Sequence, residues 1–147
     1  MGWMRVKERA LRIPSKAAGG GVLFAFLLLA AALALPAEGL RAAPGDIVRC
    51  SADAAGAPGD DDSGSPAMSA DGRYVAFDSY ADGLVPGDGN GARDVFRKDL
   101  ETGEVIRCST GAAGTEGDGP SRYPALSADG RYVAFESEAD DLVTGDG

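Results

Sequence analysis

Residues 47–89 recur 58 positions downstream as residues 105–147 without a gap, and 28 of the 43 aligned pairs are identical. The segment S-A-D-G-R-Y-V-A-F stands unchanged at 69–77 and at 127–135. Most mismatches are mild, such as Met68 against Leu126 and Asp78 against Glu136. A fixed period of this length marks units that cannot bury their apolar faces singly, as in solenoids and propellers. The repeat, rather than any catalytic constellation, is where fold and function must be argued from.

Each unit reads as four short strands. Residues 66–69 lead into Asp71-Gly72, a dipeptide suited to positive φ in a tight hairpin turn, and 73–79 follow as a run of β-branched and aromatic residues. Tyr74 and Ala76 face one way and Val75 and Phe77 the other, which predicts a sheet packed on both sides. After a Gly/Asp-rich loop, 94–100, the turn Glu101-Thr102-Gly103 and 104–109 predict strands three and four. Their polar alternation through Arg97, Lys98 and Arg107 places them, on this reading, at an edge near solvent. Residues 46–51 match a fourth strand, and 124–137 match the first two strands of another unit.

This pattern resembles the TolB-like (PD40, WD40-like) β-propeller repeat, which runs S-P-D-G-R-x-I-A-F-x-S and then D-I-Y-x-x-D-L-x-T-G. Ser69, Asp71, Gly72, Arg73 and Phe77 supply the first block, repeated as Ser127, Asp129, Gly130, Arg131 and Phe135, and 94–103 supply the second. Ala70 and Ala128 stand where the family often has Pro. The resemblance implies an all-β fold of antiparallel four-stranded blades. It also implies a role as an exported binding platform, an envelope-machine component or a gating domain on a peptidase. On it, residues 46–109 are an outer strand plus the first complete blade, and 110–147 are an incomplete second blade. Closed propellers need about four to eight blades, so the expectation is an incomplete propeller. It is either a piece of a longer chain, the reading favoured here, or one whose sheets are completed by other subunits. Open blade edges then favour self-association.

Residues 1–43 are a different kind of object. Arg5, Lys7, Arg9, Arg12 and Lys16 form a basic region, 21–35 are continuously apolar, and Pro36 is followed by small residues around Ala37 and Ala42-Ala43. This predicts a hydrophobic signal helix of an exported protein, cleaved near 37–43, with an uncleaved membrane anchor over 17–37 as the alternative. Both place the repeats in a periplasmic or extracellular compartment, with the membrane touched only through the N-terminal segment.

Residues 44–147 carry eight basic and 21 acidic side chains, a net charge of −13. That balance argues against nucleic acid or anionic lipid as a partner and points to solubility, cation binding or a basic partner. Asp88, Asn90 and Asp94 place oxygens at positions 1, 3 and 7 of a Gly-rich loop, a partial match to calcium loops. The alternative is turn chemistry, and no other cofactor is implied. Cys50 and Cys108 occupy the same repeat position. Neighbouring strands of separate sheets lie too far apart for a disulfide, which needs Cα atoms within about 7 Å, so both read as buried thiols.

The chain contains no His, which removes the Ser-His-Asp triad, a His general base and His-bearing zinc sites. G-x-S-x-G elbows and P-loops are also missing. The expectation is a non-catalytic platform that binds a protein or small ligand through the variable loops 57–65 and 81–93. The alternative is the gating or substrate-presenting portion of a larger secreted hydrolase or peptidase whose catalytic part lies beyond Gly147.

Overall fold

The computed structural model describes residues 11–12 and 45–145. These form antiparallel sheets with no helix among the described residues. The apolar segment 21–35, and with it the expected signal helix and anchor, lies outside the described residues. No helix among the described residues is long and apolar enough to cross a membrane.

The strands are β1 (Leu11–Arg12), β2 (Ser63–Met68), β3 (Tyr74–Ser79), β4 (Asp94–Asp99), β5 (Val105–Arg107), β6 (Ser121–Leu126) and β7 (Tyr132–Ser137). One sheet has the order β2-β3-β4-β5; the other is the β6–β7 hairpin with β1 added at the edge of β7. Leu11 and Arg12, the described residues of the basic region, thus form a short strand.

The signature residues build their own turn. Between β2 and β3, Ser69 Oγ donates to Asp71 Oδ1 at 2.5 Å and accepts from the Tyr74 amide at 2.9 Å. Asp71 Oδ1 also accepts the Arg73 amide at 3.0 Å, while the Gly72 amide closes on Ser69 O. Between β6 and β7 the same bonds recur through Ser127, Asp129, Arg131 and Tyr132. These hydroxyl and amide donors hold the Asp71 and Asp129 carboxyls below the usual carboxylate range. Only the glycine of each Asp-Gly pair has positive φ, 73° at Gly72 and 68° at Gly130. The turn is thus an Asx-type loop closed by side chains, longer than a two-residue hairpin.

Both copies also carry the same bulge. The register of β2 on β3 shifts between Gly64 and Ala67, and that of β6 on β7 between Arg122 and Ala125. Ser65 and Tyr123, 58 residues apart, take the left-handed region there, at φ 49° and 54°. The strain at Tyr123 is offset by its amide bond to the buried Asp78 carboxylate at 3.1 Å.

As the alternation predicts, β3 has apolar residues on both faces. Ala76 joins Val95 and Cys108 against Val133, Phe135, Ala139 and Leu142 of the second repeat. On the opposite face Val75 and Phe77 pack with Ala81, Leu84 and Phe96. Four members of each cluster are repeat copies: Val75, Phe77, Ala81 and Leu84 correspond to Val133, Phe135, Ala139 and Leu142.

Two expectations fail here. β4 lies between β3 and β5 and is buried along its whole length, although it carries Arg97 and Lys98. Arg97 stacks 4.5 Å from the Tyr74 ring centroid and donates to Gly130 O at 2.9 Å. Lys98 Nζ donates to the carbonyls of Ala52 and Asp53 at 2.8 and 3.0 Å. The long apolar stems and these carbonyl bonds make buried basic residues tolerable, although Arg97 Nε is buried without a hydrogen-bond partner. Residues 46–51, expected as an outer strand, are irregular, with Ile47 fully exposed. Their repeat copy β5 is a strand because β4 pairs with it; among the described residues no strand plays that part for 46–51.

The two turn glycines are predicted to respond differently to alanine. At Gly72 the nearest atom to an added Cβ is Met68 Sδ at 3.9 Å, so only the left-handed backbone penalises the change, by about 1–2 kcal/mol. At Gly130 the Cβ would lie 2.1 Å from Tyr74 Cδ2, so Tyr74 must leave its place under Arg97 as well. Urea unfolding should show Gly130→Ala the more destabilising of the two.

Candidate functional site

Strand direction sorts the loops. β2 and β4 begin, and β3 and β5 end, at one end of the first sheet, so loops 57–62 and 80–93 emerge together there. The opposite end carries the short turns 69–73 and 100–104. At the loop end Gly59 lies against Ala81 and Leu84, where an added Cβ would come within 3.0 and 3.2 Å of their side chains. Gly117 meets Ala139 and Leu142 in the same way in the second repeat. The two variable loops are therefore seated on each other, with Asp60, Asp61, Asp62 and Asp82 exposed at their rim. The second repeat exposes Asp118, Glu138, Asp140 and Asp141 at its equivalent end.

Beside this rim the structure brings Asp88, Asn90 and Asp94 together around a guanidinium. Arg107 NH1 lies 3.0 Å from Asp88, 3.8 Å from Asp94 and 3.1 Å from Glu116, and NH2 donates to Gly87 O at 3.1 Å. The Arg107, Asp88 and Asp94 side chains are 7, 2 and 1% exposed. Asp94 also accepts from Ser109 Oγ and, at 3.3 Å, from Asn90 Nδ2. Asn90 Oδ1 accepts the Ala92 amide at 2.8 Å, and its Nδ2 donates to Gly117 O at 2.9 Å.

Burial and the neighbouring Asp94 charge push the Asp88 carboxyl up to about 6, against the opposing pull of Arg107. Burial also raises Asp94, partly countered by the Ser109 and Arg107 contacts. The residues expected to meet a calcium ion thus converge on an arginine cation. Among the described residues no group of three or more His, Cys, Asp or Glu side chains is arranged to hold a metal. A calcium ion at these carboxylates would have to displace Arg107.

A second feature lies on the Val75/Phe77 face of the first sheet. A cavity of about 280 Å³ is lined by Arg49, Cys50, Ser63, Pro66, Val75 and Phe77 among others. Both thiols are free; Cys50 is half-buried and Cys108 is buried, which pushes Cys108 up to about 12. Neither is poised as a nucleophile by a lowered pKa.

The signature arginine has a role that the sequence reading missed. Arg73 forks onto Asp99, with Nε at 3.1 Å and NH2 at 2.7 Å from Oδ2, and its NH1 reaches Glu101 at 2.9 Å. Burial alone would raise Asp99, but the Arg73 and backbone bonds hold it below the usual range. The Arg of S-x-D-G-R is thus locked to the Asp of D-L-x-T-G. Arg93 likewise sits 3.0 Å from the buried Asp78 and 4.6 Å from the Tyr80 ring centroid. The signal for the first pair was positional: Arg73 recurs as Arg131, 58 residues on, in the identical nonapeptide.

No known protein family, curated protein or solved structure matches this chain.

Proposed function

We propose that the chain is an exported, non-catalytic segment of a TolB-like β-propeller, a binding platform that presents its loop end to a basic protein or ligand. The observation that carries this is the shared emergence of loops 57–62 and 80–93 at one end of the sheet, with Asp60, Asp61, Asp62 and Asp82 exposed on a mutually packed base. A rigid base lowers the entropic cost of engaging a partner, and clustered carboxylates attract cationic surfaces. The propeller reading is supported by two repeat units with the same turn, bulge and core positions.

The test uses oligo-lysine as the basic probe at about 0.15 M salt, where free surface charges are screened beyond roughly 8 Å. Changing Asp60, Asp61, Asp62 and Asp82 to Asn should weaken binding at least tenfold. The same substitution type at the turn end, Glu101→Gln with Glu104→Gln, should leave it within twofold. Equal effects at the two ends would overturn the loop-end assignment. Separately, N-terminal sequencing of the exported product should begin at about residue 37–43; an intact N-terminus in the membrane fraction would instead establish an anchor.

A further inference from the structure

The two repeats place different residues at one strained position. Ser65 and Tyr123 occupy the same bulge with φ of 49° and 54°, so the fold needs a left-handed residue there but no ring. A bulky side chain at positive φ is unfavourable, and burial does not offset the cost, because Tyr123 is 60% exposed. Its amide bond to Asp78 holds the backbone and leaves the phenol ring unengaged. Among the described residues that ring and its hydroxyl make no hydrogen bond, ion pair or ring contact. Fold stability thus accounts for the backbone at 123 and not for the side chain.

Tyr123 stands where the two repeats meet at the loop end. Asp78, whose carboxylate holds the Tyr123 amide, pairs with Arg93 at 3.0 Å, and the Arg93 carbonyl accepts the Ser121 amide at 2.6 Å. The Arg93 guanidinium lies over the exposed Tyr80 ring, and the Tyr80 amide donates to Asp62 O at 3.0 Å on the acidic rim. In the second repeat Glu138 replaces Tyr80 and binds Arg122, the neighbour of Tyr123, at 3.3 Å. Both local cations are therefore paired, while carboxylates such as Asp61, Asp82, Asp118 and Asp141 lie exposed at the loop ends of the two repeats. Tyr74 and Tyr80 already carry arginine guanidiniums on their faces; Tyr123 carries none. A free aromatic face in a field of carboxylates suits a cation, since the ring quadrupole and the surrounding charge both attract it.

We infer that Tyr123 is the aromatic anchor for the basic partner of the loop end, a step that rests on the loop-end reading proposed above. A lysine or arginine side chain of the partner seats its cation over the Tyr123 ring, and the carboxylates around it hold the partner's neighbouring charges. The fixed bulge places the ring in advance, which lowers the entropy lost on docking. Ser65 has no ring to offer, so the contact belongs to the junction rather than to each repeat.

Fluorescein-labelled oligo-lysine, titrated with the full chain and read by anisotropy, tests it. At about 0.15 M salt Tyr123→Ser should weaken binding about fivefold or more, and Tyr123→Phe, which keeps the ring face, should bind within about twofold of the parent. Serine already holds this backbone conformation at 65, so the Tyr123→Ser melt should be unchanged or higher, which separates a binding loss from unfolding. Normal binding by Tyr123→Ser, or equal losses in Tyr123→Ser and Tyr123→Phe, would overturn the anchor. The loop-end reading fails separately, on equal effects of carboxylate substitutions at the two ends. Weak binding by the rim variant beside normal binding by Tyr123→Ser would leave that reading standing and the anchor overturned; no binding by the parent would overturn both.

Discussion

Replacing Phe77 with alanine should lower the unfolding free energy by about 3–5 kcal/mol, the usual range for a buried aromatic side chain. Phe77 is 3% exposed and stacks on its cross-strand neighbour Phe96 with ring centroids 5.7 Å apart. Val75, Ala81 and Leu84 pack in the same cluster, Phe77 also lines the cavity beside Cys50, and the loop bearing Ala81 and Leu84 is already tight against Gly59. That contact leaves little room for collapse into the space vacated, so the transfer loss and the cavity loss add. Met68→Ala on the neighbouring strand, at 61% exposure, should stay within about 0.5 kcal/mol. Urea unfolding of both variants decides the matter: a Phe77→Ala loss under about 1 kcal/mol would mean that this face is not a packed core.

Arg107→Met should cost a comparable amount at pH 7.5, about 3–5 kcal/mol, because it leaves the buried Asp88 and Asp94 carboxylates without their cation. The loss should be pH-dependent, with a definite sign. Asp88 in the fold is raised from 3.8 to about 6, so between those values the folded state holds a proton that the unfolded chain releases. Its ionisation therefore weakens the fold as pH rises from about 4 to 6, with the full penalty present above 6 and none below about 4. Removing Arg107 takes away a charge that pulls this carboxyl down, so the variant should recover part of its stability near pH 5 while the parent changes less. Thermal melts at pH 5 and 7.5 test this directly. Calcium at millimolar concentration should leave the parent melt unmoved; a rise of several degrees would show that Asp88, Asn90 and Asp94 take the ion despite Arg107.

Several parts of this architecture were legible in the residues alone. The strands at 74–79 and 132–137, the turns at Asp71-Gly72 and Asp129-Gly130, and the two-faced burial of Val75, Ala76 and Phe77 all follow from local pattern. The convergence of Asp88, Asn90 and Asp94 was also anticipated, because the short Gly-rich loop 88–94 cannot carry them far apart. What they converge on was not legible: Arg107 and Glu116 reach the loop through the pairing of β5 with β4 and the start of the second repeat. The burial of Arg97 and Lys98 was misjudged for a similar reason. A basic residue in a strand reads as an edge signal until the carbonyls of Gly130, Ala52 and Asp53 are known to lie within reach.

The sequence by itself determined whatever depends on neighbours a few residues away. Ser69, Asp71 and Gly72 make the same hydrogen bonds as Ser127, Asp129 and Gly130 because every donor and acceptor lies within six residues of chain. Tertiary structure alone decided which repeat copies become strands and which charges are buried. Residues 46–51 and β5 are nearly the same sequence, yet only β5 is a strand, because a backbone ladder needs a partner edge that local sequence cannot supply. Likewise Arg73 is locked to Asp99 while Arg131, in an identical nonapeptide, reaches only Asp129 of its own turn among the described residues. The difference lies in β4, which stands beside one copy and not the other.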